Sequence, residues 1–179
     1  MMIPDSAKIA FVILMMTLSL SEIHAQDRSL GASFSYAGSG LSYERSIDED
    51  TFVEVQLRAE TAHMFSSLTD KPGITASFTW NMIFSELTSS NGNRICFFAG
   101  PGITAGSVYD LPAQKGLVFG LKGRVGGECT FSRKIAVSAS LSPVIGAHVS
   151  MKDGMPCMKI YRLGLLYTLM PEVGIRYTF

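Results

Sequence analysis

Two sets of residues in this chain have types and spacing that could do chemistry. The first is His148 and Ser150, two residues apart in "HVS". A histidine beside a serine can activate the hydroxyl as a nucleophile when an acid orients the imidazole. Such a pair is more often structural, so His148 and Ser150 are weak catalytic candidates and we expect no enzyme.

The second set is ten charged residues on the polar side of alternating segments, five acids and five bases. Equal numbers of opposite charges can satisfy one another where little water enters. We interpret the set as an internal charge network; the alternative is the lining of a narrow pore or of a small-solute site. The set comprises Glu44, Glu54, Arg58, Glu60, Lys122, Arg124, Glu128, Arg162, Glu172 and Arg176.

The elements that must position these residues are β-strands. In "FVEVQLRAE" (52–60) and "GITASFTWNMIF" (73–84) apolar and polar residues alternate with period two. A strand places each set on one face, whereas a helix would scatter both around its axis. Eight strands are predicted, near 29–37, 40–47, 52–62, 73–84, 95–106, 117–131, 135–147 and 160–179.

The two ends of the chain decide this strand count. Near the start, the parity of the apolar residues changes across "AGSG", which has the composition of a tight hairpin turn. From Tyr161 to Phe179 the odd positions are mostly apolar, and this parity continues through Pro171. We therefore predict two strands at the start and one long strand at the end, bulged at the proline.

Composition limits the class of protein. The chain has 179 residues, of which 47% are hydrophobic and only 17% charged, and its formal net charge is zero. The zero net charge argues against a nucleic-acid partner. Residues 9–20 form a twelve-residue apolar run between Lys8 and a small Ala25, typical of a secretory signal. We predict a signal peptide over 1–25 and one exported domain over 26–179.

Eight strands in an exported chain favour an all-β fold, an antiparallel up-and-down barrel, because closure removes exposed edges. A lipocalin-like barrel would be soluble with an apolar lumen, whereas an outer-membrane barrel has apolar residues outside and polar residues inside. The polar faces are too sparsely charged for a whole aqueous surface. The other faces carry aromatics near strand ends, among them Phe52, Trp80 and Phe179, as in membrane girdles. The sequence therefore predicts a transmembrane barrel.

The ending "VGIRYTF" resembles the C-terminal assembly signal of bacterial outer-membrane β-barrel proteins, with Val173, Ile175, Tyr177 and Phe179 as the signal residues. The stretches "FFAGPGITAGSVY" and "GLVFGLKGRVGGECTF" are similar to small outer-membrane barrels of Bacteroides-like bacteria. The resemblance implies an integral protein of the bacterial outer membrane, with membrane lipid and the barrel-assembly machinery as partners. It leaves any extracellular partner unidentified.

A further resemblance concerns the first set of residues. The His-x-Ser spacing at His148 and Ser150 is similar to that of lipid A deacylase barrels, which place an orienting acid about a dozen residues after the histidine. Here that position is Ile160, with Asp153 too close and Glu172 too far. We expect instead a structural or surface-interaction barrel with a side-chain-filled lumen. Neither a metal nor another cofactor is expected, since Cys96, Cys129 and Cys157 are widely spaced.

Overall fold

The computed structural model describes residues 28–61, 72–89, 93–110, 114–131, 134–152, 155–166 and 170–179. The predicted signal peptide lies outside these residues. Within them the chain forms ten strands and one short helix. The strands are β1 (Arg28–Ser35), β2 (Gly38–Ser46), β3 (Thr51–Glu60), β4 (Gly73–Thr88), β5 (Arg94–Asp110), β6 (Gln114–Phe131), β7 (Ile135–Leu141), β8 (Val144–Lys152), β9 (Met155–Ile160) and β10 (Glu172–Thr178), and the helix is α1 (Arg162–Leu166).

The ten strands occupy eight positions in a closed antiparallel wall. Strands β1 to β6 pair in chain order, and β10 pairs with both β7 and β1, which closes the ring. β7 and β8 both pair with β6, so they form the two halves of the seventh position, separated at Ser142 and Pro143. β9 and β10 are the halves of the eighth. The predicted eight-stranded antiparallel barrel is confirmed.

The barrel is strongly staggered. We start at Leu117 on β6 and move from each residue to its partner on the next strand, through β5, β4, β3, β2, β1, β10 and β7. After one full turn this path returns to β6 at Gly127, ten residues further along the strand than Leu117. Such a stagger requires tilted strands, and eight tilted strands enclose a space that side chains alone can fill. We call the end that holds Arg28 and Phe179 the terminal end and the opposite end the distal end.

The prediction of one long strand over 160–179 is wrong. Ile160 of β9 faces Ala147 of β8, and Glu172 of β10 faces Ser140 of β7. Between these pairs the eighth position contains eleven residues, 161–171, while the seventh contains six, 141–146. The surplus of five residues has no room in the wall, and part of it turns inward as α1.

The surplus also explains why parity was misleading. An odd number of extra residues reverses which numbers point outward. Outward residues are even in β9, where Met158 and Ile160 are exposed, and odd in β10, where Val173 and Ile175 are exposed. Tyr161 fits the odd pattern by number, yet its side chain is buried inside the barrel.

The two faces of the wall are inverted relative to a soluble protein. Outward positions carry large exposed apolar side chains on every wall position, such as Leu41, Ile103 and Leu121. Inward positions carry buried serines, threonines and charged residues. Burying polar groups while exposing apolar ones is favourable only when the surrounding solvent is itself apolar. The outer surface of the barrel therefore faces lipid.

Introducing a charge near the middle of β3 tests whether the outer face of the wall is in contact with lipid. Val55 points outward between Tyr43 and Phe78. We expect Val55→Lys to reduce the free energy of unfolding by about 2–4 kcal/mol, because the ammonium would enter hydrocarbon. Urea titration in lipid vesicles measures this, with Val55→Leu as a control that should change stability little. Equal stability of the two variants would contradict a lipid-facing wall.

Candidate functional site

The lumen contains most of the predicted charge network. Nine of its ten residues point inward and are buried or nearly so, whereas Arg162 lies exposed on α1. The prediction was wrong for Arg162, because the strand expected there is a short helix and Arg162 lies on its exposed side. The nine inward residues are Glu44, Glu54, Arg58, Glu60, Lys122, Arg124, Glu128, Glu172 and Arg176.

A lower cluster lies nearest the terminal end and centres on Arg176. Its guanidinium contacts the carboxylates of Glu44 and Glu128 and lies 4.0 Å from Glu54. Glu54 is also paired with Arg124. These side chains come from strands β2, β3, β6 and β10, so their ion pairs link opposite sides of the barrel.

Two aromatic rings accompany the lower cluster inside the lumen. Phe52 and Phe98 pack edge to face with ring centroids 5.3 Å apart. Arg124 lies over the Phe98 ring at 5.0 Å and Arg176 over the Phe52 ring at 5.9 Å, both within range of cation–π attraction. The prediction that Phe52 faces lipid is wrong, because it stands at an inward position of β3.

An upper cluster lies toward the distal end. Arg58 pairs with Glu172, whose other carboxylate oxygen accepts a hydrogen bond from Gln56 Nε2 at 2.6 Å. Lys122 Nζ donates to Gln56 Oε1 at 2.8 Å and to Ser77 Oγ at 3.0 Å. Gln56 therefore joins an acid on one side to a base on the other. Gln56 was not among the predicted site residues because it is uncharged, although its parity placed it on the polar face.

Little free space remains between these side chains. A cavity of about 20 Å³ lies beside Gln56, Lys122, Ser142 and Tyr161. That volume holds one water molecule, since a water needs roughly 10–15 Å³. The middle of the lumen is filled by its own side chains.

The distal end of the lumen is closed by an apolar plug. The plug forms where the surplus residues of the eighth wall position turn inward and meet small residues of the surrounding strands. Its buried residues are Ala37, Val108, Val118, Val144, Tyr161 and Leu163.

Two acids hold the plug in place. Tyr161 donates its hydroxyl to Glu60 Oε2 at 2.9 Å. Asp110, at the end of β5, accepts the backbone N–H of Arg162 at 3.2 Å and of Leu163 at 3.3 Å. These N–H groups begin α1 and have no partner within a helix, so Asp110 acts as a cap supplied by another strand.

His148 and Ser150 belong to the same plug. Both are buried on β8, with His148 Nε2 lying 3.3 Å from the backbone oxygen of Val108. The imidazole stacks on the Tyr161 ring at a centroid distance of 6.4 Å. Packed in this way, the pair lies away from the lipid that an acyl-chain substrate would come from. This placement supports the structural interpretation of both residues.

Among the residues that the structure describes, nothing closes the terminal end. A cup of about 500 Å³ lies below the lower cluster, with Phe52 and Phe98 toward its floor and Glu44, Glu128 and Arg176 in its wall. The cup and the plug make the two ends of the barrel chemically unlike: one is polar and accessible, the other apolar and packed.

No group of three or more His, Cys, Asp or Glu residues that could hold a metal ion occurs within the described ranges. In the same ranges, no helix is both long and apolar enough to cross a membrane. Cys96, Cys129 and Cys157 are free thiols.

The closed antiparallel wall, apolar exterior and polar filled lumen define a transmembrane β-barrel of the outer-membrane type. Closed barrels are the form in which strands can span a bilayer, because every backbone group in the wall is paired. Outer-membrane barrels begin at eight strands, the number found here. The chain is thus an outer-membrane protein by architecture.

No protein-family model matches this chain, and no curated protein matches it. Among solved structures, the N-terminal β-barrel domain of Pseudomonas aeruginosa OprF is similar at 11% identity and a TM-score of 0.48, covering 86% of this chain and 96% of that one. A major outer membrane protein of Thermus thermophilus is similar at 10% identity and a TM-score of 0.48, covering 87% of this chain and 100% of that one. Ail of Yersinia pestis is similar at 13% identity and a TM-score of 0.38, covering 88% of this chain and 100% of that one. These TM-scores are too low to assign this chain to a class of protein. The assignment follows from this chain's own strand pairing and from its apolar outer surface.

A double-mutant cycle tests the lower cluster. We expect Arg124→Met to reduce the free energy of unfolding by about 3–5 kcal/mol, since it leaves the buried Glu54 without its nearest cation and with only the more distant Arg176. Adding Glu54→Gln should recover much of this loss because it removes the orphaned charge. Urea titration of both single variants and the double variant gives the coupling energy. Strictly additive effects would show that the pair is not a buried ion pair.

The cap of α1 gives a local test of the plug. Asp110→Ala should reduce stability by about 0.5–2 kcal/mol, the usual range for a lost cap. Hydrogen exchange of the Leu163 amide should accelerate more than that of Val55 in the wall, because the plug would open before the barrel unfolds. Uniform acceleration across both sites would contradict a separately held plug.

Proposed function

We propose that this protein is a structural or surface-interaction barrel of the bacterial outer membrane that does not conduct solutes. It spans the membrane with a lumen filled by its own side chains and presents its distal end outside the cell. The observation that carries the proposal is the double closure of the lumen. A charge network fills the middle, and an apolar plug packs the distal end.

The charge network favours a structural role over a pore. A conducting path needs water along its whole length, whereas the space beside Gln56 and Lys122 holds one water molecule. Arg58 and Arg124 extend from the wall into paired contacts with Glu172 and Glu54. Moving either cation aside would leave a buried carboxylate without its nearest cation, at a cost of several kcal/mol. The closed state is therefore the stable one.

The orientation follows from the chain ends. In single-chain bacterial barrels of even strand number both termini lie in the periplasm, and longer loops face outward. The terminal end with Arg28 and Phe179 would then face the periplasm, which agrees with the assembly-signal role that we propose for Val173, Ile175, Tyr177 and Phe179. All four side chains are exposed on the lipid-facing side, where the barrel-assembly machinery could contact them.

A hydrolytic role is disfavoured by the surroundings of His148. The imidazole is engaged with Val108 and Tyr161 inside the plug, so a substrate would have to displace the plug to reach Ser150. A plug held by Glu60 and Asp110 makes that displacement costly. The function supported best is one carried out by the outer surface and the exposed distal end.

Planar-bilayer recording tests the proposal. The mature protein, reconstituted after its heat-dependent gel shift has shown that it is folded, should give no steady conductance in salt solution. Tyr161→Ala combined with Leu163→Ala should also stay closed, because the charge network remains in place. Large stable channels in the unaltered protein would overturn the proposal, and channels in the double variant alone would show that the plug, not the network, seals the lumen.

A further inference from the structure

The strands of the barrel end at different heights. β1 to β4 stop at Ser35, Gly38, Glu60 and Gly73 at their distal ends. Ile74 faces Ser107, and from there β5 continues to Asp110 with β6 as its partner. β8 pairs with β6 up to Ser150, and β9 pairs with β8. The distal part of the barrel is therefore a protruding sheet of four strands, β5, β6, β8 and β9.

The protruding sheet extends beyond the hydrocarbon layer. A strand tilted by 35–45° climbs roughly 2.5 Å along the barrel axis per residue. The outward face of β6 from Phe131 to Leu117 then covers about 35 Å, more than the apolar band of about 25 Å that such barrels carry. Gly116 faces Ser150, and Ser150 faces Cys157, so the β8–β9 hairpin lies at or beyond this level.

The outward face of this hairpin is nevertheless apolar. Met151, Met158 and Ile160 are between 68 and 74% exposed. Methionine side chains are flexible and polarisable, and they are frequent on surfaces that adapt to different partners. An exposed apolar patch outside the bilayer marks an interaction surface. We call these three residues the methionine face.

The edge of the hairpin indicates the kind of partner. β9 ends the order of paired strands, with β8 on one side and no second partner strand among the residues that the structure describes. Tyr161 donates its N–H to Gly146 at 2.9 Å, continuing the ladder with β8. Hydrogen bonds alternate along an antiparallel pair, so the backbone groups of Met158 and Ile160 point away from β8. Pro156 offers only its carbonyl at this edge.

We propose that the β9 edge and the methionine face together bind an extended polypeptide segment of a separate protein outside the cell. A row of N–H and C=O groups at strand spacing is complemented by another extended backbone, and the neighbouring apolar side chains supply affinity. The proposal rests on the outward orientation of the distal end given above, and it names the partner class for that surface.

A second copy in the same membrane does not fit this edge. Two copies inserted in the same direction are related by rotation about the membrane normal. Their β9 strands, each tilted by about 40°, would cross at about 80° instead of running antiparallel. Edge pairing between such copies is therefore excluded by geometry, which leaves a segment that approaches from outside.

Amide hydrogen exchange in lipid nanodiscs provides the first test. Without any added peptide, the Met158 and Ile160 amides should exchange at least ten times faster than the Lys159 amide, which faces β8. Slow exchange of Met158 and Ile160 in the bilayer alone would overturn the proposal, because lipid or another part of the chain would then cover the edge.

The second test uses a displayed library of random ten-residue peptides selected on the nanodisc-held protein. Selected peptides should slow exchange at Met158 and Ile160 at least tenfold. Their affinity should fall at least tenfold for Ile160→Pro, which removes an edge donor without touching the ladder with β8. Lys115→Ala, an outward change on β6, is the matched control and should bind normally.

The gel shift checks that both variants fold, and Met158→Pro provides a second edge variant if Ile160→Pro does not. A library that yields no binder sensitive to these edge variants would overturn the proposal. Because conductance is measured separately, failure here would leave the closed-barrel function standing, and a conducting barrel would not affect peptide binding.

Discussion

The confined space inside an eight-stranded barrel constrains the rest of the molecule. The lipid outside requires apolar residues on the outer face of the wall. Because side chains alternate along a strand, every second side chain then points into the lumen, which admits almost no water. Charges placed in such a space must be matched within the protein. Two arrangements in the lumen meet this requirement. Arg176 pairs with both Glu44 and Glu128. Gln56 hydrogen-bonds to Glu172 on one side and to Lys122 on the other.

The sequence predicted what period-two patterning controls. Alternation in β3 and β4 specified which side chains face lipid and which face the lumen, and the presence of both acids and bases on the polar faces indicated that opposite charges pair inside the lumen. The patterning could not show which charges pair. The partners Glu54 and Arg124 are 70 residues apart in sequence and meet only after the stagger of the barrel is set.

The main error came from the eighth wall position. Parity there is continuous from Tyr161 to Phe179, but the register of β9 against β8 and of β10 against β7 leaves five residues too many. Register depends on both neighbours of a strand and cannot be read from that strand's own pattern. The position of Ile160, even-numbered and apolar immediately before an odd-numbered series, was the local signal of the reversal.

The closing hydrogen bonds of the ring are made by β10, and β9 contributes none of them. The β8–β9 hairpin is therefore attached to the barrel without being required for its closure. Evolution can change the length and sequence of such an appendage while the ring keeps its stagger and its charge pairing. The same independence makes the hairpin a natural point for grafting foreign sequences onto the surface of a cell.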